Sequence, residues 1–450
     1  MASVSRPQAR MAVIGGGVAG LTAAYELLKA GAAVDLYERE PRLGGLASSF
    51  PLDDGALERY YHFICLNDRP YFAMLDELGL RGRLRWRLTK MGQFHNGRLY
   101  ALGDPWDILF FSPLSWLDRL RFGLTIMAIK RQPADAWRAI EDLPVETWMV
   151  QRFGRATYEA IHKPLIQLKF GPYAGQISAA WMWARIHRLG KSRTRFLQLE
   201  KLGYLEGGTQ ALVDALAGRI DALGGRVRAG QPVERIAVRD GRARGVVCAG
   251  QETSYDAILS TIPTPYLAHL VAGAGDERLA GVSDIQSIGV TCLVLRLKRP
   301  FSRYFWTNIA DERVQVAGVI EYSNLNRDVC ANGDRIVYIP QYLPSDSRRY
   351  ARSDAEIYEE YLGYLSIMRP DFDRDWVRDW WVFRDQYAQP ICTVGFSRRV
   401  AGIESPLAGL YITDSHQLYP DDRTVSNSIG LGRAAAQLML QKAAGAPGAS

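Results

Sequence analysis

Residues 13–20 read Val13-Ile14-Gly15-Gly16-Gly17-Val18-Ala19-Gly20, and this octapeptide decides the fold. Gly15, Gly17 and Gly20 occupy the three fixed positions of a G-x-G-x-x-G turn. Gly15 permits the sharp exit from a strand, Gly17 lets backbone approach a pyrophosphate, and Gly20 lets a helix pack on the strand. The surroundings agree. Met11–Ile14 is a short apolar run, Val18–Lys29 has helical spacing, and Ala33–Tyr37 reads as a second strand. Glu38 closes that strand, where a carboxylate accepts both ribose hydroxyls and repels a 2′-phosphate. Val18 and Ala19, at the positive end of the helix, and Arg39 beside the acid complete the expected contacts. The segment predicts a Rossmann-type βαβ unit for a dinucleotide, with NADP disfavoured.

Outward from this unit, residues 63–200 are rich in Trp, Leu and Arg at helical spacing. Val227–Ile262 alternates strand-like runs with turns such as Asp240-Gly241. Gly289–Arg296 and Arg335–Pro340 read as buried strands, and Ser353–Met368 as a helix capped by Ser353 or Asp354. Gly409–Thr413 is a further buried strand, followed by a loop and a helix near Gly432–Lys442. Gly430-Leu431-Gly432-Arg433-Ala434-Ala435 also fits a dinucleotide fingerprint, but Ser426–Ile429 before it is no clear strand. It reads as a helix entry, and no separate NAD(P)H domain is expected. Nucleotide-type segments at both ends predict a discontinuous cofactor domain.

Past Glu38 stands Arg42-Leu43-Gly44-Gly45-Leu46-Ala47-Ser48, which resembles the second phosphate-and-flavin motif of the FAD-dependent amine oxidase superfamily. That group includes protoporphyrinogen oxidases and phytoene-type desaturases. Pro164-Leu165-Ile166, Phe170-Gly171-Pro172-Tyr173-Ala174 and Ser178 are similar to a stretch of protoporphyrinogen oxidase-like proteins. Gly203–Gly208 with Leu212 and Leu216 resembles their paired-glycine segment before an amphipathic helix. The resemblance implies non-covalent FAD, with Gly44, Gly45 and Leu46 near the pyrophosphate and flavin, and Val233 against adenine. It places Asp414 by ribityl or phosphate groups, and Val425 by the pyrimidine end of the flavin. It implies an α/β fold of glutathione-reductase-like topology with an inserted mixed α+β substrate domain. The implied FAD domain is 1–62, 203–275 and 385–443; the substrate domain with its helical cap is 63–202 and 276–384; 444–450 is a disordered tail.

Glu58-Arg59-Tyr60-Tyr61-His62-Phe63 also resembles a segment beside the flavin in UDP-galactopyranose mutases, with only the last histidine kept, as His62. His62 reads either as a structural histidine or as a polar wall of the flavin pocket, serving as acid or base. Arg423, in the loop after the last strand, reads as a surface ion-pair partner or as a fixed charge facing substrate. Glu321, ending the run Val316–Ile320, reads as a strand-end carboxylate or a third catalytic group. Lys169 and Lys298 are the candidates by position for an active-site lysine. Cys392 lies where some amine oxidases attach flavin, without their surrounding pattern.

Three functions follow. The first is hydride transfer from a C–H, C–N or C–C bond of an organic substrate to FAD. The second is a mutase-like isomerisation of a nucleotide sugar without net redox change, and the third is a flavin-binding protein without catalysis. The first is favoured by the more numerous protoporphyrinogen oxidase-like segments.

The chain has 450 residues, 48% of them hydrophobic, enough for two or three structural units. A net charge of +7, spread without a basic block, points to an anionic or lipid-like small molecule and away from nucleic acid. Five isolated cysteines, with no CxxC pair, predict neither a disulfide framework nor a metal site, and a reducing compartment. No secretory leader or spanning helix is expected, so the location reads as cytoplasmic. Eight large apolar residues between Trp106 and Leu117, followed by Arg119, Arg121, Lys130 and Arg131, make 105–131 either a roof over the pocket or a peripheral contact with the inner face of a membrane. Oligomeric state has no signature in the sequence.

Overall fold

The computed structural model describes residues 8–192, 201–271, 284–330 and 332–445. The opening segment folds as its pattern dictates: strand β1 (Arg10–Ile14), helix α1 (Val18–Lys29) and strand β2 (Ala33–Glu38). β1 is central in a five-stranded sheet ordered Leu410–Ile412, Ala257–Ser260, β1, β2, Arg226–Ala229. Every pairing in it is parallel. Parallel neighbours need crossovers, which is why this one sheet draws strands from both ends and the middle of the chain. α1 and the C-terminal helix Val425–Gly445 pack on it through Leu21, Ala24, Leu28, Ile429, Ala435 and Met439.

A second sheet has seven strands: Val377–Pro390, Ser287–Leu297, Arg335–Leu343, Gly318–Glu321, Trp306–Ala310, Met91–His95 and Arg98–Ala101. Its two faces are separated by simple alternation. Cys292, Val294, Ile320 and Tyr338 face Phe50, Tyr61 and Phe63. Leu293, Leu295, Val319 and Val337 face the helix Asp354–Met368 through Ile357, Tyr361 and Leu365. That helix starts with a reciprocal cap, Ser353 Oγ accepting from the Glu356 N–H and Glu356 from the Ser353 N–H. Between Trp116 and Ser192 a helical layer buries Trp148, Phe153, Phe170 and Trp181.

Three expectations need correction. Residues 63–200 are not purely helical, since Leu84–Leu88, Met91–His95 and Arg98–Ala101 are strands. Met91–His95 forms a hairpin with Arg98–Ala101 through the left-handed Asn96-Gly97 turn, and it joins the second sheet by a parallel pairing with the distant Trp306–Ala310. The second fingerprint at Gly430 is not a helix entry but lies within Val425–Gly445. A Cβ at Gly432 would come within 2.4 Å of the Ala19 carbonyl oxygen, so this glycine lets two helices touch. The last helix runs to Gly445, so residues 444 and 445 are helical; 446–450 lie outside the described residues, as does the 275/276 boundary. In the stretch 105–131, Ile108, Phe111 and Leu114 are core residues, whereas Phe110 and Trp116 are 80% and 69% exposed.

Candidate active site

The glycine turn shows which of its residues serve the fold and which a ligand. Gly15 has φ +112°, and a Cβ on Gly20 would sit 2.0 Å from the Gly15 carbonyl oxygen, so both are dictated by the protein itself. Gly17 has an ordinary φ of −72°, and a Cβ there would meet nothing within 4 Å. Neither strain nor crowding asks for glycine at 17. The open space beside it does, because a pyrophosphate there would come against the backbone. The Gly44 N–H donates to the Gly16 carbonyl (2.8 Å), and Gly45 packs against Gly17, closing the second phosphate loop over the first. Glu38 is anchored beside them: Oε2 accepts from the Gly16 N–H (2.6 Å) and Oε1 from the Glu40 N–H (2.9 Å). Its remaining lone pairs face the position expected for ribose. The Glu38 carbonyl accepts from the Gln231 N–H, which brings the half-buried Val233 alongside, and Arg39 stacks on the Tyr266 ring (4.7 Å). Val18 and Ala19 open α1, and Leu46 is half-buried in the loop.

Two residues of the C-terminal segment differ in role. The carboxylate of Asp414 is held within the protein by several partners. It accepts from the Thr264 N–H (2.8 Å) and from Ser415, and it lies 3.4 Å from His416 Nδ1. It ties the last strand's exit to the helix Thr264–Val271 and acts through that geometry. Val425 begins the C-terminal helix, capped by Thr424, whose Oγ1 accepts from the Asn427 N–H (3.0 Å). Thr424, Val425 and Ser426 line a small cavity of about 20 Å³ that Glu58 and His62 also line. The positive end of a 21-residue helix therefore points at that space.

His62 lines this cavity, and Arg423, from the opposite end of the chain, is near enough to act on it electrostatically. The His62 Nδ1 is enclosed and lacks a well-formed hydrogen bond among the described residues. Burial holds its pKa below the usual value; Glu58 works against that and Arg423 adds to it, so the ring is neutral at pH 7. Glu58 is itself buried and accepts from the Thr209 N–H and hydroxyl. Arg423 has Nη1 enclosed without a partner, and a long contact (3.5 Å) from Nη2 to the Tyr342 hydroxyl.

The sequence only hinted at Lys169 and missed its neighbours. The helix Lys163–Phe170 ends at Gly171, φ +51°, which sets Lys169 inward, 7% exposed. Ser178, from the same resembling stretch, accepts from the Tyr419 hydroxyl (3.1 Å), tying it to the Asp422–Arg423 loop. Lys169 Nζ lies 3.9 Å from Asp422, whose other oxygen holds Arg185 (2.6 Å). Burial drives the Lys169 pKa down to about 7, against the pull of Asp422. Burial would raise Asp422, but Lys169, Arg185 and Arg423 hold it at about 2. Lys298, the other candidate, is on the surface and donates to the Asp375 carbonyl.

Glu321 leaves the catalytic set. It is fully buried, but alternation along Gly318–Glu321 puts Ile320 on the face toward Phe50 and Tyr61 and Glu321 on the opposite one, where Oε2 accepts from the Ser302 N–H (2.6 Å). Burial raises its pKa to about 7. Cys392 sits in the helical core with its thiol pKa pushed up by burial, unlike an activated nucleophile.

The family described as flavin containing amine oxidoreductase matches residues 18–440. The chain belongs to that family. It is accordingly a flavoprotein, and the cofactor its loops fit is FAD. Among curated relatives, a coproporphyrinogen III oxidase of Mycobacterium tuberculosis is 26% identical over 63% of this chain and 65% of its own length. A flavin-dependent L-tryptophan oxidase of Lentzea aerocolonigenes is 27% identical over 66% of this chain and 67% of its own. The chain thus matches just under two thirds of the first of these. A solved putative protoporphyrinogen oxidase from Exiguobacterium sp. 255-15 superposes with TM-score 0.74 at 17% identity, covering 97% of this chain and all of that one. A reduced UDP-galactopyranose mutase gives 0.73 at 17%, covering 96% of each. These last two likenesses concern the fold alone. Among the described residues, no helix is long and apolar enough to cross a membrane, and no group of His, Cys, Asp and Glu is placed to hold a metal ion.

Proposed function

We propose that the chain is an FAD-dependent oxidoreductase that removes hydrogen from a small organic substrate beside His62 and Arg423. The observation that carries this is that His62 and the positive end of the last helix line one cavity, with Arg423 close enough to act electrostatically on His62. FAD, when bound, supplies a two-electron acceptor. The protein's part is positioning and charge. Neutral His62 holds or accepts the proton that leaves a substrate heteroatom as the adjacent carbon loses hydride. Arg423 supplies a permanent positive charge that a lysine, able to deprotonate, would not. Curated relatives named as oxidases and desaturases favour this reading over isomerisation or flavin storage. The test is an anaerobic screen of candidate amines, porphyrinogens, isoprenoids and sugar nucleotides on purified yellow protein. Bleaching of the visible spectrum by one of them is expected; protein turning over only after prior chemical reduction would sink it in favour of the mutase-like alternative.

The architecture supports a division of labour. In this reading the seven-stranded sheet and the helical layer form a substrate domain inserted into the FAD domain, with segments near 1–62, 203–275 and 385–443 on the cofactor side. Limited proteolysis with and without FAD tests it, since FAD should protect the cofactor segments first.

Peripheral membrane contact is a separate proposal. Of fourteen large exposed apolar side chains among the described residues, seven fall between Trp106 and Leu124. Arg119, Arg121, Lys130 and Arg131 flank them, partly offset by Asp107 and Asp118. Exposed aromatics beside cationic side chains suit the headgroup layer of an anionic bilayer. Cosedimentation with phosphatidylglycerol vesicles should be lost in Phe110→Asp/Trp116→Asp; retention by the double variant rejects this face.

A further inference from the structure

Beyond the cavity at His62, the wall formed by Lys169, Trp181, Tyr342 and Arg423 contains charge that the fold leaves incompletely answered. Lys169 is almost wholly buried, and its nearest carboxylate oxygen, on Asp422, is 3.9 Å away, too far for a hydrogen bond. Its ammonium lies over three rings, 4.8 Å from Trp181, 5.3 Å from Tyr342 and 5.8 Å from Phe170. Arg423 has one enclosed nitrogen without a partner and the other on a 3.5 Å contact. A guanidinium fork in this state forgoes the two parallel bonds it is shaped to make.

The neighbouring charges do not settle the account. Asp422 gives its good bond to Arg185 (2.6 Å), and Arg188 is engaged by Asp68 (3.0 Å). Asp385, which also faces Arg423, accepts from the Tyr387 N–H, and burial raises its pKa, so it is a poor counter-ion. Glu58 is committed to Thr209. Cys392, near Lys169, is held as a thiol by burial. Of the two cations, Lys169 has one oxygen of Asp422 at 3.9 Å and Arg423 feels that carboxylate only electrostatically.

We propose that Lys169 and Arg423 form a subsite for an oxyanion group of the substrate, carboxylate or phosphate, with Trp181 and Tyr342 as the apolar walls beside it. The inference rests on the oxidoreductase reading of this site and adds the substrate class: an acid, presented so that its oxidisable carbon lies toward His62. The anion takes both arms of Arg423 and a bond from Lys169, while Asp422 keeps Arg185 and the lysine oriented. Asp422 also disfavours an anion when Lys169 is neutral, so binding weakens as the lysine loses its proton near neutrality.

The test uses the FAD-loaded protein and ligands that report on the flavin spectrum without turnover. Benzoate and phenyl phosphate are titrated beside the neutral benzamide, from about pH 6 to about pH 8.5. A visible difference spectrum is expected with at least one anion and not with benzamide, with affinity falling roughly tenfold across that range. Tighter benzoate identifies a carboxylate site, and tighter phenyl phosphate a phosphate site. Lys169→Met should weaken the anion roughly tenfold and flatten the pH dependence, while Lys169→Arg should keep the binding and also flatten it. Should the methionine variant not fold, the wild-type pH profile against benzamide decides alone. Benzamide binding as well as benzoate, absence of binding by both anions, or an unchanged pH profile in Lys169→Arg overturns the subsite. Protein that retains no FAD overturns instead the reading beneath it, and anion binding is then followed by calorimetry on the same variants.

Discussion

The phosphate loop and the substrate wall are built on opposite principles. In the loop, Gly15, Gly17 and Gly20 lie within six positions of one another, and local backbone sterics impose two of them. In the wall, Arg185 meets Asp422 across 237 residues and Arg423 meets Tyr342 across 81. Gly15 and Gly20 are fixed by backbone conformation and by a neighbouring carbonyl, and Gly17 alone faces open space. The wall exists only if two sheets and the helical layer assemble correctly, and its chemistry comes from burial, which moves Lys169 toward neutrality and leaves Arg423 short of partners. A short motif can fix where a cofactor lies; the choice of substrate is left to groups that become unusual only when folded.

The largest expected effect separates the two glycine roles inside the loop. Gly17→Val should yield folded, colourless protein, since its side chain enters empty space reserved for the cofactor. Gly20→Val should instead cost folding, by about 3 kcal/mol or more, because its Cβ collides with the Gly15 carbonyl. Flavin content and circular-dichroism melting of the two variants give the answer; equal melting temperatures would remove the distinction.

Next comes the contrast between holding the cofactor and using it. His62→Ala and Arg423→Gln should retain FAD and slow anaerobic flavin reduction roughly tenfold or more, the loss associated with one positioned polar group. Stopped-flow traces at wild-type rate in yellow, stable protein would return both residues to a structural role.

Glu321 provides the smallest effect and a control for burial without catalysis. Its pKa rises from 4.5 to about 7 on folding, so the native state holds a proton that the unfolded chain releases. That contribution to stability is complete below about pH 4.5, is lost as pH rises toward 7, and amounts to about 3 kcal/mol at most. Glu321→Gln should flatten the urea midpoint across this window and leave flavin reduction untouched. A reduced rate would bring Glu321 back toward the site.

Local pattern was enough for β1, α1, β2 and the acid at Glu38, because glycine sterics and apolar periodicity act over a few residues. It was enough, too, for the capped helix after Ser353. The hairpin of Met91–His95 and Arg98–Ala101 carries a local signal at Asn96-Gly97 that a helical reading of 63–200 passes over, and Gly432 lies inside the last helix and not at its entry, because contact with α1 leaves no room for a Cβ there. Sequence by itself determined the dinucleotide loop and the family likeness. How the titratable side chains are grouped was decided only in three dimensions: Ile320 and Glu321 go to opposite faces by a single step of strand alternation, and Lys169 is moved toward neutrality only by burial near Asp422 and Arg423. Alternation needs a register, and desolvation needs a completed wall; neither exists until the distant segments have packed.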